Sequence, residues 1–294
     1  MRERALQLQI ILLAVCISLM TAGCRAIPAA APTSQLAQVE PPAAAEPTAT
    51  ATPMPAATGT APAAPTPPAS ETPAPAHLCS PLENYVLEQL PEMISNPYNP
   101  PAPGSDDPHH GVDLAVLAAE NQIAVEGNPV RSALAGTVAG VINDRFPYGN
   151  AVIIETPLDA FSPDWWAQAE IPTPAPTNLP GSALTCPSVP AASPPVTSQR
   201  SLYVLYGHLK QPVEHEIGES VSCGADLGII GMSGNALAPH LHFEARVGPS
   251  GMRFPGMAHY DNSATAEEMS IYCLWRISGL FQLVDPMKVL QLAP

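Results

Sequence analysis

Residues 200–209 read RSLYVLYGHL, and this stretch decides the fold class. Branched and aromatic side chains fill it, which is typical of a buried β-strand. GNAVIIET at 149–156 precedes it and PHLHFEARV at 239–247 follows it, and both predict further strands. No long helical period appears between residues 109 and 248, and glycine, asparagine and proline separate the apolar runs. The sequence therefore predicts a mainly β fold, an antiparallel sandwich or half-barrel with short flanking helices.

Two long insertions interrupt the predicted strands. Residues 157–199 separate two strands that would otherwise form a hairpin, and a loop of this length is either functional or fixed in place. Cys186 favours the second alternative. Residues 248–283 form the other insertion and are expected to hold a helix from about 265 to 281.

Three segments are predicted before the β domain. Residues 1–24 resemble a lipoprotein-type signal peptide, with a basic start, a short apolar stretch and small residues before Cys24, the expected lipidation site. Simple cleavage and an uncleaved anchor are the alternatives. Residues 25–78 are rich in Pro, Ala and Thr and lack core-forming residues, which predicts a disordered tether. Residues 79–108 form a lead-in in which Ser80-Pro81 is a favourable helix start, so a helix is expected there.

Composition limits the partners and the compartment. The chain of 294 residues has a net charge of −15, so it does not neutralise phosphates, and nucleic acid is not an expected partner. The signal predicts export, and four cysteines remain after it: Cys79, Cys186, Cys223 and Cys273. An oxidising compartment favours two disulfides, and among three connectivities we favour Cys79–Cys273 with Cys186–Cys223. None of the four forms a C-x-x-C pair, so a thiolate zinc site is not indicated.

Three short segments carry histidines: HHGVD at 109–113, YGHL at 206–209 and HLHFE at 240–244. Taken alone, each is weak evidence for a metal site. Extended backbone places alternate side chains on one face, so the first and last residues of HHGVD converge, and so do the two histidines of HLHFE. The glutamate of HLHFE falls on that same face, which allows it to support a neighbouring histidine.

Together and in this order, the three segments resemble the motifs H-x-G-x-D, Y-x-H-L and H-L-H-F-E of the M23 (LytM/lysostaphin-type) zinc peptidases. The stretches GNPVRSALAGTV, YGNAVII, GIIGMSGN and VDPMKVL extend the resemblance, which covers residues 109–156, 200–247 and 284–290. It implies an M23-type domain over 109–294 that contains both insertions. Leu237-Ala238 departs from the Thr-Gly that usually precedes the last motif, and this change is expected to narrow the cleft.

The resemblance also implies the roles of the site residues. It makes His109, Asp113 and His242 the metal ligands and leaves His110 without a role. It makes His208 and His240 the catalytic pair without saying which is the general base. Two imidazoles and one carboxylate leave a fourth position open on Zn²⁺, as a catalytic site requires. Zinc would polarise a peptide carbonyl and acidify water. The histidine pair would exchange the proton and stabilise the oxyanion.

The implied function is zinc-dependent hydrolysis of peptide cross-bridges in bacterial peptidoglycan, outside the cytoplasmic membrane. A lipid anchor at Cys24 and the tether would place the enzyme on the outer face of that membrane, facing the cell wall. The alternative is a non-catalytic LytM-like regulator that binds or activates another wall hydrolase. The five filled site positions favour the enzyme. Upstream, Asn96 and Asn99 are expected to be turn residues, although in some relatives an upstream Asn occupies the open metal position.

Overall fold

A computed structural model describes residues 76–102, 104–173, 184–187 and 198–291. The predicted signal, the tether up to residue 75 and much of the first insertion lie outside the described residues. All the described residues belong to one compact unit, Pro68–Pro294. Within these ranges, no helix is long and apolar enough to cross a membrane.

The described part of the chain contains ten β-strands and is mainly antiparallel β, as predicted. The strands are β1 (Ile94–Asn96), β2 (Val112–Leu114), β3 (Pro129–Arg131), β4 (Gly136–Arg145), β5 (Gly149–Pro157), β6 (Arg200–Leu209), β7 (Ser220–Val221), β8 (Asp226–Ile229), β9 (Leu241–Pro249) and β10 (Gln282–Val284). The helices are α1 (Pro163–Gln168), α2 (Ala266–Arg276) and α3 (Pro286–Gln291), with 3-10 helices at Leu87–Met93 and Leu158–Ala160.

Eight strands form the main sheet. Its order is β1-β2-β9-β6-β5-β4-β7, and β10 pairs with β9 beyond the end of β2. The remaining strands, β3 and β8, form a separate two-stranded ribbon. Strand β9 is therefore bordered by β6 along one side and by β2 and then β10 along the other, which places the last histidine motif in the middle of the sheet.

The core lies on both faces of the sheet, which explains the continuous apolar sequence of β6. Alternate β6 side chains enter two separate apolar clusters. The first cluster includes residues of the β3–β8 ribbon, and the second includes the aromatic residues Phe254, Trp275 and Phe281 of the second insertion. The second insertion therefore covers one face of the sheet, where its rings pack edge to face.

The helix expected after Ser80-Pro81 does not form there. Leu82 instead makes an isolated antiparallel bridge with Val130, and the helix begins only at Leu87, as a 3-10 helix. Pro91 lies inside that segment and cannot donate an amide hydrogen bond, so a regular α-helix is unfavourable. The lead-in then continues as strand β1.

The helix predicted in the second insertion is present as α2. Thr265 caps it by accepting a hydrogen bond from the Glu268 amide, while the Glu268 side chain accepts one from the Thr265 amide. The helix ends at Arg276, earlier than expected, and Gly279 follows with a positive φ of 74°. Such a conformation favours glycine and does not continue a helix.

Two disulfides are present, as predicted, but the favoured pairing was wrong. The structure joins Cys79 to Cys223 and Cys186 to Cys273. The first pair meets because both half-cystines lie against residues 132–133, to which their segments are tied by backbone hydrogen bonds. The second pair ties the first insertion to helix α2. Both pairings depend on packing between segments that are distant in sequence, which cysteine spacing does not show.

Candidate metal centre and histidine pair

The first and last histidine motifs, HHGVD at 109–113 and HLHFE at 240–244, face each other across a pair of strands. Strand β2 runs antiparallel to β9, and Asp113 is the direct partner of His242. A Cβ atom at Gly111 would lie 2.6 Å from a carbonyl oxygen of β9 and 2.8 Å from Cε1 of His242. Because Gly111 has no side chain, the His242 ring has room beside it. His109 precedes β2 and is fixed by reciprocal backbone hydrogen bonds with Asn99.

Three side-chain atoms that could bind a metal ion, from His109, Asp113 and His242, lie close to one another. Nε2 of His109 lies 3.1 Å from Oδ1 of Asp113 and 3.3 Å from Nδ1 of His242, and Nδ1 of His242 lies 2.9 Å from the same carboxylate oxygen. Asp113 and His242 are buried. Among the described residues one other group has comparable donors, but it includes Cys79 and Cys223, which are joined in a disulfide.

The hydrogen bonds behind the two imidazoles fix which nitrogen faces the centre. Nδ1 of His109 lies 2.9 Å from the Pro97 carbonyl oxygen, which can only accept, so Nδ1 carries the hydrogen and Nε2 carries the lone pair. Nε2 of His242 lies 3.3 Å from Oε2 of Glu244, so its Nδ1 carries the lone pair. A proton on either facing nitrogen would make a hydrogen bond to Oδ1 of Asp113, whereas in the neutral rings two lone pairs and a carboxylate oxygen face one another. A cation between them would relieve their repulsion, and this donor set is one that Zn²⁺ takes.

The electrostatics of the cluster also favour positive charge at its centre. Burial alone would lower the pKa of His242, but hydrogen bonds to the carboxylates of Asp113 and Glu244 raise it to about 9. Burial would raise the pKa of Asp113, but hydrogen bonds from His109 and His242 hold it below its usual value. The cluster therefore stabilises a bound proton, and the same negatively charged surroundings would favour a metal ion.

His208 reaches the same site from the neighbouring strand. Residues 207 and 208 of β6 oppose the single residue Ala151 of β5, which makes a β-bulge. His208 has a positive φ of 61°, a left-handed conformation that is strained for a residue other than glycine. Its ring centroid lies 4.8 Å from that of His240 and 5.7 Å from that of His242. The bulge thus directs His208 toward the metal motif.

Both members of this histidine pair donate Nδ1–H to backbone carbonyl oxygens of the loop before β9. Nδ1 of His208 lies 2.7 Å from the Ser233 oxygen, and Nδ1 of His240 lies 2.8 Å from the Ala238 oxygen. The lone pair of each ring is therefore on Nε2, and Nε2 of His240 lies 3.5 Å from Oδ1 of Asp113. Burial, with the neighbouring histidines, lowers the pKa of His208 to about 3, so it is neutral near pH 7.

The five predicted site residues border one cavity of 680 Å³. Its other walls come from the segments before β2 and β5, the loop before β9 and the second insertion. They include Asn96, Asp106, Tyr148, Leu237, Tyr260 and Arg276. Asn96, expected to be a turn residue, lies in β1 and donates a hydrogen bond of 3.1 Å to Oδ2 of Asp113. Leu237 is fully exposed, so the departure from the usual motif adds an apolar side chain to the cavity wall.

Behind His109, Asp113 and His242 lies a buried polar network that the sequence did not reveal. Glu244 and Arg246 form an ion pair with essentially no exposure to solvent. His110, which was left without a role, is fully buried, and its Nδ1 accepts a hydrogen bond from Arg246. Burial, reinforced by the charge of Arg246, lowers the pKa of His110 to about 2. The pattern showed only that Glu244 shares a strand face with His242, because the other partners are distant in sequence.

No family model matches the chain, and no curated protein matches it significantly. Solved structures to which it is similar include the catalytic domain of the prophage-encoded M23 protein EnpA from Enterococcus faecalis, at 18% identity over 65% of this chain and 98% of that chain, with a TM-score of 0.31. The catalytic domain of lysostaphin from Staphylococcus simulans is 18% identical over 70% of this chain and 98% of that chain, with a TM-score of 0.35. A zinc-containing peptidase from Vibrio cholerae is 21% identical over 52% of this chain and 32% of that chain, with a TM-score of 0.28. The chain thus resembles M23 peptidases in its motifs, and solved M23 peptidases are among the structures similar to it.

Proposed function

We propose that this protein is a zinc-dependent endopeptidase that hydrolyses peptide cross-bridges of bacterial peptidoglycan. One observation carries the proposal: three metal-binding atoms and two further imidazoles with free Nε2 lone pairs border a single cavity. His109, Asp113 and His242 would hold the zinc ion through Nε2, Oδ1 and Nδ1, respectively. The three ligands leave a position open, as catalytic rather than structural zinc sites do.

Bound zinc would supply Lewis acidity, which polarises a peptide carbonyl and makes water easier to deprotonate. The chain supplies the proton transfers. In their neutral forms, His208 and His240 each offer Nε2 to accept a proton from the attacking water. A histidine that carries a proton on Nε2 can instead donate a hydrogen bond to the developing oxyanion. The backbone carbonyls of Ser233 and Ala238 keep both rings in the tautomer that these roles require.

The substrate and the compartment are proposed on separate grounds. Two disulfides fit an exported protein, because such bonds persist in oxidising compartments. The motif resemblance, together with the signal-like start, favours the cell wall as the place of action. We further propose that Cys24 carries a lipid anchor and that the tether, up to residue 75, extends the domain from the outer face of the cytoplasmic membrane toward the wall. Residues 76–78, predicted as part of the tether, instead pack on the domain, where Leu78 is buried.

Digestion of purified peptidoglycan tests the proposal. The purified protein, loaded with one zinc ion per chain, should release new amino groups, and a chelator should stop the release until zinc is added back. A pelleting assay run in parallel measures binding to the wall. Binding without any release from the zinc-loaded protein would contradict the peptidase proposal and support the non-catalytic regulator.

A further inference from the structure

Helix α2 of the second insertion contacts the residue that supports a metal ligand. Nε1 of Trp275 donates a hydrogen bond of 2.9 Å to Oε1 of Glu244. Nη1 of Arg276 lies 3.5 Å from Oε2 of the same carboxylate. Glu244 is completely buried, and Trp275 is too. A buried carboxylate requires several donors to be stable, and α2 provides two of them.

The same carboxylate orients His242. Oε2 of Glu244 lies 3.3 Å from Nε2 of His242. The other ring nitrogen, Nδ1, is the one that faces Asp113 and would bind the metal. A carboxylate at this position fixes the tautomer and the plane of a ligand imidazole and makes its other nitrogen a better donor to metal. The contacts thus form a chain from α2 through Glu244 to His242.

Arg276 also reaches the segment that leads to the other imidazole ligand. Its Nε donates a hydrogen bond of 2.6 Å to Oδ1 of Asp106, and its Nη2 donates one of 2.9 Å to the Asp106 carbonyl oxygen. Asp106 precedes His109 by three residues in the sequence. The Arg276 side chain is only 10% exposed, so both of these bonds are shielded from water. The Arg276 side chain therefore contacts both the carboxylate that supports His242 and a residue of the segment that precedes His109.

We propose that helix α2 supports the metal centre. Trp275 and Arg276 hold the carboxylate of Glu244 in place, and Glu244 acts as a positioning residue for the ligand His242. This inference rests on the proposed function, because it assumes that His242 binds the metal. It assigns a role to an insertion that would otherwise only cover one face of the sheet. It also predicts that changes on α2, an element outside the histidine motifs, alter zinc affinity.

A double-mutant cycle on the full chain tests the inference, with Zn²⁺ alone as the probe and a competing chromogenic chelator as the readout. Glu244→Gln should weaken zinc binding by about 10–100-fold. Trp275→Phe removes the indole N–H while keeping an aromatic ring, and it should weaken binding by a smaller factor. In the Glu244→Gln background, Trp275→Phe should cause no further loss, because its effect passes through Glu244. Arg145→Gln is the matched control, since it breaks an ion pair between β4 and Glu268 of the same helix without touching Glu244.

Each outcome decides between the alternatives. Unchanged zinc affinity in Glu244→Gln, or an equal loss from Trp275→Phe in both backgrounds, would overturn the inference while leaving the proposed function intact. A wild-type chain that binds no zinc would instead refute the proposed function. Near-UV circular dichroism verifies folding of each variant. If Glu244→Gln does not fold, Arg276→Lys replaces it: weakened zinc binding that Arg145→Gln does not reproduce supports the inference, and unchanged binding overturns it.

Discussion

His240 and His242 are two residues apart and face the same cavity, yet they present different ring nitrogens to it. His242 presents Nδ1, because its Nε2 contacts the buried carboxylate of Glu244. His240 presents Nε2, because its Nδ1 contacts the backbone carbonyl of Ala238. The first ring is thus supported by a charged group inside the domain and the second by the loop before β9. A charged support makes a ring nitrogen a stronger metal ligand, whereas a neutral carbonyl fixes the tautomer of the ring without adding a negative charge beside it.

The same difference separates two regions of the site. We call His109, Asp113 and His242 the ligand cluster, which β2 and β9 carry with the buried polar network behind it. We call His208 and His240 the histidine pair, which a β-bulge and a loop direct into the cavity. The comparison predicts that changes in the ligand cluster remove the metal, whereas changes in the histidine pair leave the metal bound and remove only the chemistry.

The largest effect is expected from His242→Ala. This change removes one of three ligand atoms and the group that receives the support of Glu244, so zinc content should fall from one per chain to near zero. Cleavage of peptidoglycan should be lost with it. Metal analysis after dialysis measures the zinc content, and the His215→Ala variant, which changes a histidine outside the cavity, is the control. Full zinc retention in His242→Ala would show that the ligand assignment is wrong.

A smaller effect, confined to chemistry, is expected from His208→Ala. Zinc content should stay near one per chain, because Nδ1 of His208 contacts a backbone carbonyl and its ring lies beside the ligand cluster rather than within it. The cleavage rate should fall by at least about a hundredfold, the usual contribution of a positioned proton-transfer or oxyanion group. If His208→Ala lost its zinc as well as its cleavage activity, the ligand cluster and the histidine pair would not have separate roles.

Gly111→Ala should weaken zinc binding without removing any ligand. The added Cβ would lie closer to Cε1 of His242 and to a β9 carbonyl oxygen than van der Waals contact permits, so the ligand ring must move. We expect a loss of about tenfold or more in zinc affinity, comparable with the effect of disturbing the support of a ligand. Gly256→Ala is a suitable control, because its φ is not positive and the nearest atoms to its added Cβ lie 3.4 Å or more away, an ordinary van der Waals distance. Equal zinc affinity in both variants would contradict the packing argument.

His110→Gln should have the smallest effect on zinc binding, but it should clearly change how the unfolding free energy depends on pH. His110 is held neutral, with a pKa of about 2 in the folded state against 6.5 for the free side chain. As the pH falls below about 6.5, the unfolded chain gains a proton here that the folded chain does not, so the unfolding free energy falls by about 1.4 kcal/mol per pH unit.

His110→Gln should remove that slope, because glutamine does not titrate, and its amide oxygen can still accept a hydrogen bond from Arg246. Denaturant unfolding of the metal-free proteins at pH 7 and pH 5.5 gives the comparison with the wild type. Zinc content at pH 7 should be unchanged in the variant. Zinc loss in His110→Gln together with zinc retention in His109→Gln would mean that His110, and not His109, is the metal ligand.

Much of the fold was predictable because its signals are local. The apolar runs predicted β5, β6 and β9, and the two-residue period of a strand placed His240 and His242 on one face. The convergence of His109 and Asp113 followed from the same period. These features depend only on the order of neighbouring side chains, so the sequence was sufficient for them.

The remaining features depend on packing between distant segments. The disulfide partners could not be read from spacing, because Cys79 meets Cys223 only after the lead-in packs against residues 130–133, in and after strand β3. His110 was expected to be without a role, but it is buried and accepts a hydrogen bond from Arg246 of the distant strand β9. The strand period correctly placed Glu244 on the same face as His242. Its partner Trp275 could not be predicted, because it belongs to an insertion whose position the sequence does not specify.

The most direct test of the central claim is the rate at which new amino groups appear in purified peptidoglycan, measured for wild-type protein and for His240→Ala, each shown to carry one zinc per chain. We expect steady release by the wild type and release at least about a hundredfold slower by His240→Ala, with equal zinc content and equal wall binding. No release by the zinc-loaded wild type, or equal rates for the two proteins, would contradict that claim.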